Sequence, residues 1–434
     1  MGAFVPTLTS ILSSYSQGPL VNRTHEVYST MEQRYALVMT THFHLSSTEL
    51  ESLVALRRDL HAHPELGYAE TRTSAAICDH LSVLGIEHRG MLAGGTGVVA
   101  WIPGRDETDA IALRADIDAL PIEEQSGVAW SSTHAGRMHA CGHDGHTAIL
   151  LGAAGALATE SKANGLPRPV EFIFQPAEEG GAGARAMIQD GCLDGTVAPF
   201  IPKRIYGLHG WPLAAEGTVG TRVGALLAAA DRFEITIRGR GAHAAMPHFG
   251  RDPILAGAAI VSSLQAIVAR EIDPLDSGVV SVTTFNAGTA FNIIPETAAI
   301  TGTARSLNAA TRDALQQRIT AIAESVARAY ECEAEMTYHR GYPMTINHPD
   351  AVARFNRCAQ AEVGVEGIVD VDRPHMGGED FSFYGEVIPA CFFLLGLLPP
   401  KQDAMPGLHS PEFDFNDDVI ESGVAMFRRL ALEG

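Results

Sequence analysis

The sequence has few cysteines, no long apolar run and too few basic residues to balance its acidic ones. Its six cysteines are scattered along 434 residues without a Cys-x-x-Cys pair, which favours reduced thiols and a cytoplasmic location. No apolar run reaches the roughly 18 residues that span a bilayer, and residues 1–45 lack the basic start and apolar block of a secretory signal. The net charge of −20 argues against nucleic acid and anionic membrane surfaces as partners.

The length predicts more than one folded unit, because single hydrophobic cores stop growing beyond about 250–300 residues. Residues 1–45 are interpreted as an N-terminal arm of unknown role. Ser46 and Glu49 have the spacing of a capping box, which predicts a helix from that point. A first, α/β domain is predicted over 46–222 and 341–434, and residues 223–340, with the order β-α-β-β-α-β, are predicted to form an inserted α+β domain.

One short stretch between an apolar strand and an apolar helix is rich in groups that bind metals. It reads His139-Ala140-Cys141-Gly142-His143-Asp144-Gly145-His146. Imidazole, thiolate and carboxylate together suit a borderline-soft divalent ion. The alternative is a polar turn whose histidines face solvent, but a Cys-x-His pair next to an Asp favours the metal site.

Three predicted buried strands each lead to polar side chains. Asp116 ends "AIALRAD", Glu178 and Glu179 follow "VEFIFQP", and His209 lies at the end of "RIYGLHG". Ligands of open α/β sheets gather at the carboxyl ends of the strands, so these side chains are expected to meet. Burying two adjacent glutamates as free anions would be costly, whereas a metal ion that binds one leaves the other free as a base.

The histidines far along the chain are ambiguous when each is taken alone. His209 would more often be a core histidine, and His409 in "GLHSPEF" is no clearer. Together with Cys141, His143 and Glu179 they make five ligands, too many for one tetrahedral site with an open position. Two metal ions about 3.5–4 Å apart, with one bridging ligand, fit this number better.

Ordered segments along the chain carry a family resemblance. They are "RRDLHAHPELGYAET", "RADIDALPIEE", "MHACGHDGHTA", "FQPAEEGGAGA", "GLHGWP", "GRGAHAAMPH", "NIIPETAAITGTARS", "HMGGEDFSFY" and "LHSPEFDF". The chain resembles the dinuclear metallo-amidohydrolases that include hippurate hydrolase, N-acyl-amino-acid deacylases and auxin-conjugate hydrolases, relatives of the aminoacylases and glutamate carboxypeptidases. The resemblance extends from about Glu51 onward. The N-terminal arm departs from the family pattern.

The resemblance implies a role for each residue of the predicted centre. Glu178 would be the general base, and Asp116 would orient a metal ligand from outside the coordination sphere. Related peptidases have aspartate at the position of Cys141 and histidine at that of Arg114, so the chain is similar to the amidohydrolase branch. Cys141 would bridge the two metals, and the full ligand set implied is Cys141, His143, Glu179, His209 and His409.

The resemblance also implies that the inserted domain is a ferredoxin-like lid that forms a dimer. In it, His243, Asn292 and Arg305 match residues that contact substrate, with His243 reaching from the partner subunit. Gly377, Gly378 and Glu379 match a loop near the substrate's carboxylate. From the residues alone, Arg305 could equally form a surface salt bridge, and His243 could cap a glycine-rich turn.

The predicted fold is thus a metallopeptidase-like α/β catalytic domain with a mixed sheet and flanking helices, plus the lid. The predicted activity is hydrolysis of N-acyl or N-aroyl amino acids. Two divalent ions that share a water lower its pKa toward about 7 and polarise the carbonyl. Glu178 would move the proton, His243 would donate to the oxyanion, and the Arg305 fork would bind the free carboxylate.

Several alternatives stay open at this point. A peptidase for dipeptides or C-terminal residues could use the same groups, whereas a non-catalytic metal-binding scaffold would not need Glu178. The ligand set suits two Zn²⁺ ions per subunit, with Mn²⁺, Co²⁺ or Ni²⁺ as alternatives. The expected partners are a small N-acyl amino acid and a second copy of the chain, as a homodimer or a dimer-based homo-oligomer.

Overall fold

The computed structural model describes residues 43–433. Most of the predicted N-terminal arm, residues 1–42, lies outside this part of the chain. The first helix begins where the capping box predicted it: the Ser46 hydroxyl accepts a hydrogen bond from the Glu49 amide, and the Glu49 carboxylate accepts one from the Ser46 amide at 2.8 Å. Two adjoining groups thereby satisfy each other at the helix start.

The elements follow in three groups along the chain. The first group is α1 (Ser47–Ala62), α2 (Thr71–Leu84), β1 (Glu87–Leu92), β2 (Gly97–Ile102), β3 (Ile111–Asp116), α3 (His143–Asn164), β4 (Val170–Gln175), α4 (Gly183–Gln189), β5 (Arg204–Ala215) and β6 (Val219–Gly220). The second is β7 (Gly224–Leu227), β8 (Ala229–Arg238), β9 (Ala242–His243), α5 (Pro253–Ala266), β10 (Gly278–Ala287), β11 (Ile293–Ile294), β12 (Thr297–Ser306), α6 (Ala309–Ala329) and β13 (Glu333–Tyr342). The third is β14 (Thr345–Asn347), α7 (Pro349–Val363), α8 (Ser382–Gly385), β15 (Ala390–Leu398) and α9 (Ile420–Glu433).

The larger sheet is mixed and has the strand order β1-β2-β4-β3-β5-β15-β6. Strand β3 pairs in parallel with both β4 and β5, so the carboxyl ends of these three strands meet at one edge. This confirms the expectation that the residues after these strands approach one another. Strands β2 and β3 are consecutive in the chain but have β4 between them.

Two local details differ from the sequence-based expectations. Helix α3 begins at His143, inside the stretch that was expected to precede it, because Gly142 in the left-handed conformation already starts the helix there. His209 lies within β5 and not at its end, because β15 continues to pair with β5 as far as Ala215 after β3 has ended.

The second sheet is four-stranded and antiparallel, with the order β10-β12-β8-β13. In chain order its strands alternate with α5 and α6 as β-α-β-β-α-β, which confirms the ferredoxin-like arrangement. Buried residues of both helices and of the strands form a cluster that includes Phe233, Ile260, Ile300 and Ile319. A separate pair of short strands, β9 and β11, extends from this unit.

Within residues 43–433, one helix is long and apolar enough to cross a membrane by length and composition alone, although it contains no unbroken apolar run of that length. Helix α5 continues through a π-helical turn to Glu271, giving 19 residues with a mean hydropathy of 1.5. The sequence has no unbroken apolar run there because Gln265 and Arg270 interrupt it. The buried residues of α5, among them Ile260 and Leu264, pack on the second sheet.

Candidate metal centre

The candidate centre lies at the carboxyl ends of β3 and β4, beside the middle of β5 and at the start of α3. Gly142, the residue before α3, has φ of 85°, which glycine adopts without strain. A Cβ added there would lie 2.9 Å from Phe415 Cδ2. Glycine therefore allows the tight turn that brings both of its neighbours, Cys141 and His143, to the centre.

Two groups of possible metal ligands share Cys141. The ligand atoms of Cys141, His143 and His209 lie within 4.8 Å of one another, and so do those of Cys141, Glu179 and His409. Cys141 Sγ is 3.4 Å from His209 Nε2, and His409 Nε2 is 3.1 Å from Glu179 Oε1. All five predicted ligands thus come together, in the grouping that two metal ions with one bridging ligand would need.

The two buried histidines are oriented by hydrogen bonds on their far side. His143 Nδ1 lies 2.9 Å from the carbonyl oxygen of Asp118, and His209 Nδ1 lies 2.8 Å from that of Gly210. Donation from Nδ1 leaves each Nε2 directed at the centre, the orientation that metal-binding histidines usually have. His143 Nε2 is buried and has no hydrogen-bond partner among residues 43–433, so a bound cation would satisfy it.

The charge balance around the centre also favours a bound cation. Burial lowers the pKa of His143, but the carboxylates of Asp116 and Asp118 outweigh it and raise that pKa to about 10. Burial, together with Glu179 and Glu178, raises the pKa of the Cys141 thiol well above its usual value. Divalent ions would neutralise the carboxylates and allow the thiol to ionise, so the residues present fit the predicted metals.

In a neighbouring group of Asp116, His143 and His146, the side chains of Asp116 and His146 are already satisfied by hydrogen bonds. His146 Nδ1 lies 2.6 Å from Asp116 Oδ1, and His146 Nε2 accepts a hydrogen bond from the Gly210 amide at 2.8 Å. Asp116 Oδ2 also accepts from Arg114 at 2.7 Å and lies 3.7 Å from His143 Nε2. His146 therefore fixes the backbone beside His209, and the role expected for Asp116, orienting a ligand, stays a prediction.

Asp118 was not among the residues predicted from the sequence, yet it connects two candidate ligands. Its carbonyl and its Oδ1 both lie within reach of His143 Nδ1, and its Oδ2 accepts the Glu179 amide at 3.0 Å. The only sequence feature that could have indicated a role for Asp118 is its position two residues after Asp116 in "RADIDALP".

Glu178 is nearly buried and lies between the ligands and a cluster of carboxylates. Its ligand atom groups with those of His143 and Glu179, and also with those of Glu379 and Asp380. Burial, followed by the carboxylates of Glu379, Glu179 and Asp380, raises the pKa of Glu178 well above its usual value. Its side chain accepts the Asp380 amide at 3.2 Å, and the Tyr342 hydroxyl donates to its backbone carbonyl.

Arg114 neutralises part of the carboxylate cluster that Glu178 forms with Glu379 and Asp380. It is fully buried and donates to Asp116 at 2.7 Å and to both Glu379 and Asp380 at 3.0 Å. A buried guanidinium with three carboxylate partners matches the fork geometry that arginine offers. The sequence comparison placed Arg114 where related peptidases have histidine, but did not reveal this role.

One cavity of about 660 Å³ contains most of the candidate residues. Its walls include Cys141, Glu178, Glu179, His209 and His409 from the centre, Arg305 from β12, and Gly377 with Gly378 from the loop before α8. A Cβ added to Gly378 would lie 3.0 Å from Arg305 and 2.8 Å from the Ala230 side chain, so glycine lets this loop approach the second sheet closely.

Arg305 is a cation in the wall of this cavity that no side chain among residues 43–433 engages through a hydrogen bond or ion pair. Its guanidinium is half-buried and forms no hydrogen bond or ion pair within the described part of the chain. The other arginine in the wall, Arg232, is paired with Glu234 at 2.6 Å, and Asp231 is held by Arg312 at 2.6 Å. Arg305 is thus free to bind an anion from solution.

His243 and Asn292 lie away from this cavity within the chain. The side chain of His243 is exposed and accepts the Ala245 amide at 3.0 Å. The Asn292 carbonyl accepts the Ala244 amide at 3.0 Å, next to the β9–β11 pair. Their predicted contact with substrate therefore stays a prediction.

Comparison with known proteins gives a consistent result. The model of peptidase family M20/M25/M40 matches residues 112–433. An N-acetyl-L-cysteine deacetylase of Bacillus subtilis is 42% identical over 374 residues, 86% of each chain. The Arabidopsis thaliana IAA-amino acid hydrolase ILR1-like 2 is 41% identical over 387 residues, 88% of this chain and 84% of the relative.

A solved structure with the same fold comes from the same group of proteins. The crystal structure of the Bacillus subtilis YXEP protein, described as a dinuclear metal binding peptidase from the M20 family, superimposes with a TM-score of 0.75 at 35% identity. The match covers 89% of this chain and 98% of that one.

Proposed function

Since the chain belongs to peptidase family M20/M25/M40 and is a hydrolase of amide bonds, we propose that its substrates are N-acyl or N-aroyl amino acids. Hydrolysis would release a carboxylic acid and a free amino acid. The observation that carries this proposal is a cavity where two ligand groups sharing Cys141 meet a buried Glu178 and an Arg305 that has no ion-pair partner among the described residues. A dimer in the cytoplasm is part of the proposal, and the six free thiols support that location.

Two metal ions would be held by Cys141 with His143 and His209, and by Cys141 with Glu179 and His409. When bound, they would activate water and polarise the substrate carbonyl. The donors suit Zn²⁺, and Mn²⁺, Co²⁺ or Ni²⁺ could bind the same set.

The protein's own groups would hold the substrate and move the proton. Glu178 lies next to the ligands in a carboxylate-rich pocket that raises its proton affinity, which suits a general base and then a general acid toward the leaving amine. Arg305 would bind the carboxylate of the amino acid through its planar fork. Arg114 and Asp118 would hold the surrounding carboxylates and His143 in place.

The wall beside the centre favours an acyl group over the free amine of a peptide. Trp211, Leu227, Leu394 and Leu408 line the same cavity. An ammonium group on the acyl side would lose its hydration against these apolar side chains.

An assay of the metal-loaded protein on matched substrates tests this proposal. N-acetyl-alanine and N-benzoyl-alanine should be hydrolysed, whereas alanyl-alanine should react much more slowly and the methyl esters of the acyl amino acids should bind poorly. Preference for alanyl-alanine over both acyl amino acids would show that the protein is a dipeptidase instead.

A further inference from the structure

A second cavity of about 430 Å³ lies beside the metal cavity. The two cavities share two wall residues, Trp211 and Leu394. The imidazole of His375 packs against the Trp211 indole with 4.5 Å between ring centroids. We call this space the side cavity. None of its other wall residues belongs to the centre described above.

Strand pairing shows that the floor of the metal cavity continues into the side cavity. Leu394 on β15 lies opposite His209 on β5 and also opposite Gly220 on β6. Residues in register on adjacent strands face the same side of a sheet, so these three form one row. The row spans about 10 Å, two strand spacings, from a candidate metal ligand to the side cavity.

The outer wall of the side cavity is the segment from Val369 to Pro374. This segment packs directly on Gly220, where an added Cβ would lie 2.6 Å from the Val369 carbonyl oxygen and 3.0 Å from Val371 Cγ2. The Val369 amide donates to the Val219 carbonyl at 2.8 Å, which fixes the segment to the sheet edge. The side cavity is therefore bounded by ordered backbone.

The chemistry of the walls favours an apolar occupant that carries no negative charge. Trp211, Leu213, Val371 and Leu394 supply apolar surface. The charged wall residues are Asp370, Asp372 and Arg373, and Arg373 lies 3.7 Å from Asp372. The charge that remains is negative, so a second carboxylate on the occupant would be repelled.

The direction of the substrate follows from the positions of its two anchors. Arg305 belongs to the second sheet, whereas His209, Trp211 and Leu394 belong to the first. A substrate whose carboxylate is bound by Arg305 and whose carbonyl is at the metal ligands has its acyl group directed toward the first sheet. On that side Trp211 and Leu394 supply apolar wall to the metal cavity, and both residues also line the side cavity.

We propose that the side cavity is the acyl subsite and accepts neutral, ring-sized or longer apolar acyl groups. The proposal rests on the function proposed above. The volume of the side cavity lies in the range of about 300–1,000 Å³ that small-molecule sites have. Short acyl groups such as acetyl would not reach the side cavity. The side cavity would therefore determine which longer acyl groups are preferred, and hydrolysis of acetyl substrates at the centre would not depend on it.

Substitutions that fill the side cavity from two different walls test this subsite. Ala214→Phe and Val371→Phe both add a ring within it. The ratio of kcat/KM for N-benzoyl-alanine to that for N-acetyl-alanine should fall at least about 10-fold in each, the scale of discrimination that apolar pockets provide. Val365→Phe, at a position that is 68% exposed and outside the side cavity, is the matched control and should keep the wild-type ratio.

A second measurement needs no substitution. N-pentanoyl-alanine and N-succinyl-alanine differ mainly by a terminal carboxylate, and the pentanoyl compound should have the higher kcat/KM by at least about 10-fold. An unchanged benzoyl-to-acetyl ratio in both folded variants, or a preference for the succinyl compound, overturns the acyl subsite while hydrolysis of N-acetyl-alanine leaves the proposed function standing. No hydrolysis of any acyl amino acid by the metal-loaded protein would overturn the proposed function itself.

Discussion

At the scale of single residues, Glu178 and Glu179 are neighbours in sequence with different surroundings. Glu179 lies 3.1 Å from His409 and shares a ligand group with Cys141, whereas Glu178 faces Glu379 and Asp380. The carboxyl ends of the strands were predictable because apolar runs precede each polar group. The choice between the two glutamates came from the family resemblance and not from the local sequence, because it depends on which of them His409 approaches from a distant part of the chain.

Glu178→Gln should therefore reduce turnover by a factor of about 100 or more, the usual contribution of a general base. Gln has the same shape and Glu178 is not assigned as a ligand, so elemental analysis should still find two metals per chain. Glu179→Gln is the matched control and should lose metal. Metal loss in the first variant and retention in the second would mean that the two roles are reversed.

The contacts of Asp118 and Arg114 could not be predicted from the sequence. Both lie in "RADIDALP", but their partners, His143, Glu379 and Asp380, come from other segments. Contacts of that kind depend on tertiary packing and not on local spacing.

At the scale of elements, α1 is joined to the loop that carries His409 through one buried arginine. Arg57 donates to Asp417 at 2.7 Å, to Asp414 at 2.8 Å and to the Phe415 carbonyl at 2.9 Å. His409 itself has φ of 65°, uncommon for a residue with a side chain, and its amide donates to the Ala140 carbonyl at 2.8 Å. The loop is thus held from both ends.

Arg57→Met should lower the free energy of unfolding by about 3–5 kcal/mol, because it leaves buried carboxylates without their cation. Arg58→Met is the matched control: Arg58 binds the same Asp417 but is 40% exposed, so its loss should cost less than about 1 kcal/mol. Urea unfolding of the two variants compares them directly. Equal effects would show that Arg57 contributes no more than a surface ion pair.

The same helix contains a buried histidine whose charge depends on pH. Burial lowers the pKa of His61, but Asp144 at 2.8 Å outweighs it and raises that pKa from 6.5 to about 9. Its stabilising contribution is therefore complete below about pH 6.5 and is lost as the pH rises through about 9. The difference in unfolding free energy between the wild type and His61→Gln should shrink over this range. A difference that stays constant, or grows with pH, would show that His61 is neutral in the folded protein.

At the scale of the whole molecule, residues of the second sheet line part of the metal cavity, whereas residues of the separate β9–β11 pair do not. Phe291 is fully exposed and Ile293 is 58% exposed, next to Asn292 and His243. Exposed apolar residues grouped in this way mark an interaction surface. We expect a second copy of the chain to cover them and His243 to complete the partner's site.

Mixing two inactive variants tests this arrangement. His243→Ala and Glu178→Gln homodimers should each be inactive, whereas a mixed dimer contains one site with both residues intact. After subunit exchange, the mixed dimers should recover up to about half of the wild-type activity if the sites act independently. No recovery, with exchange demonstrated by differently tagged chains, would place His243 in its own chain's site.

The central claim is that hydrolysis depends on two metal ions held around Cys141. Stepwise addition of Zn²⁺ to metal-free protein, with bound metal and N-acetyl-alanine hydrolysis measured on the same samples, tests it most directly. We expect no activity without metal, two ions bound per chain at saturation, and loss of both in Cys141→Ala, because Cys141 belongs to both ligand groups. Full activity in protein that elemental analysis shows to be metal-free would contradict it.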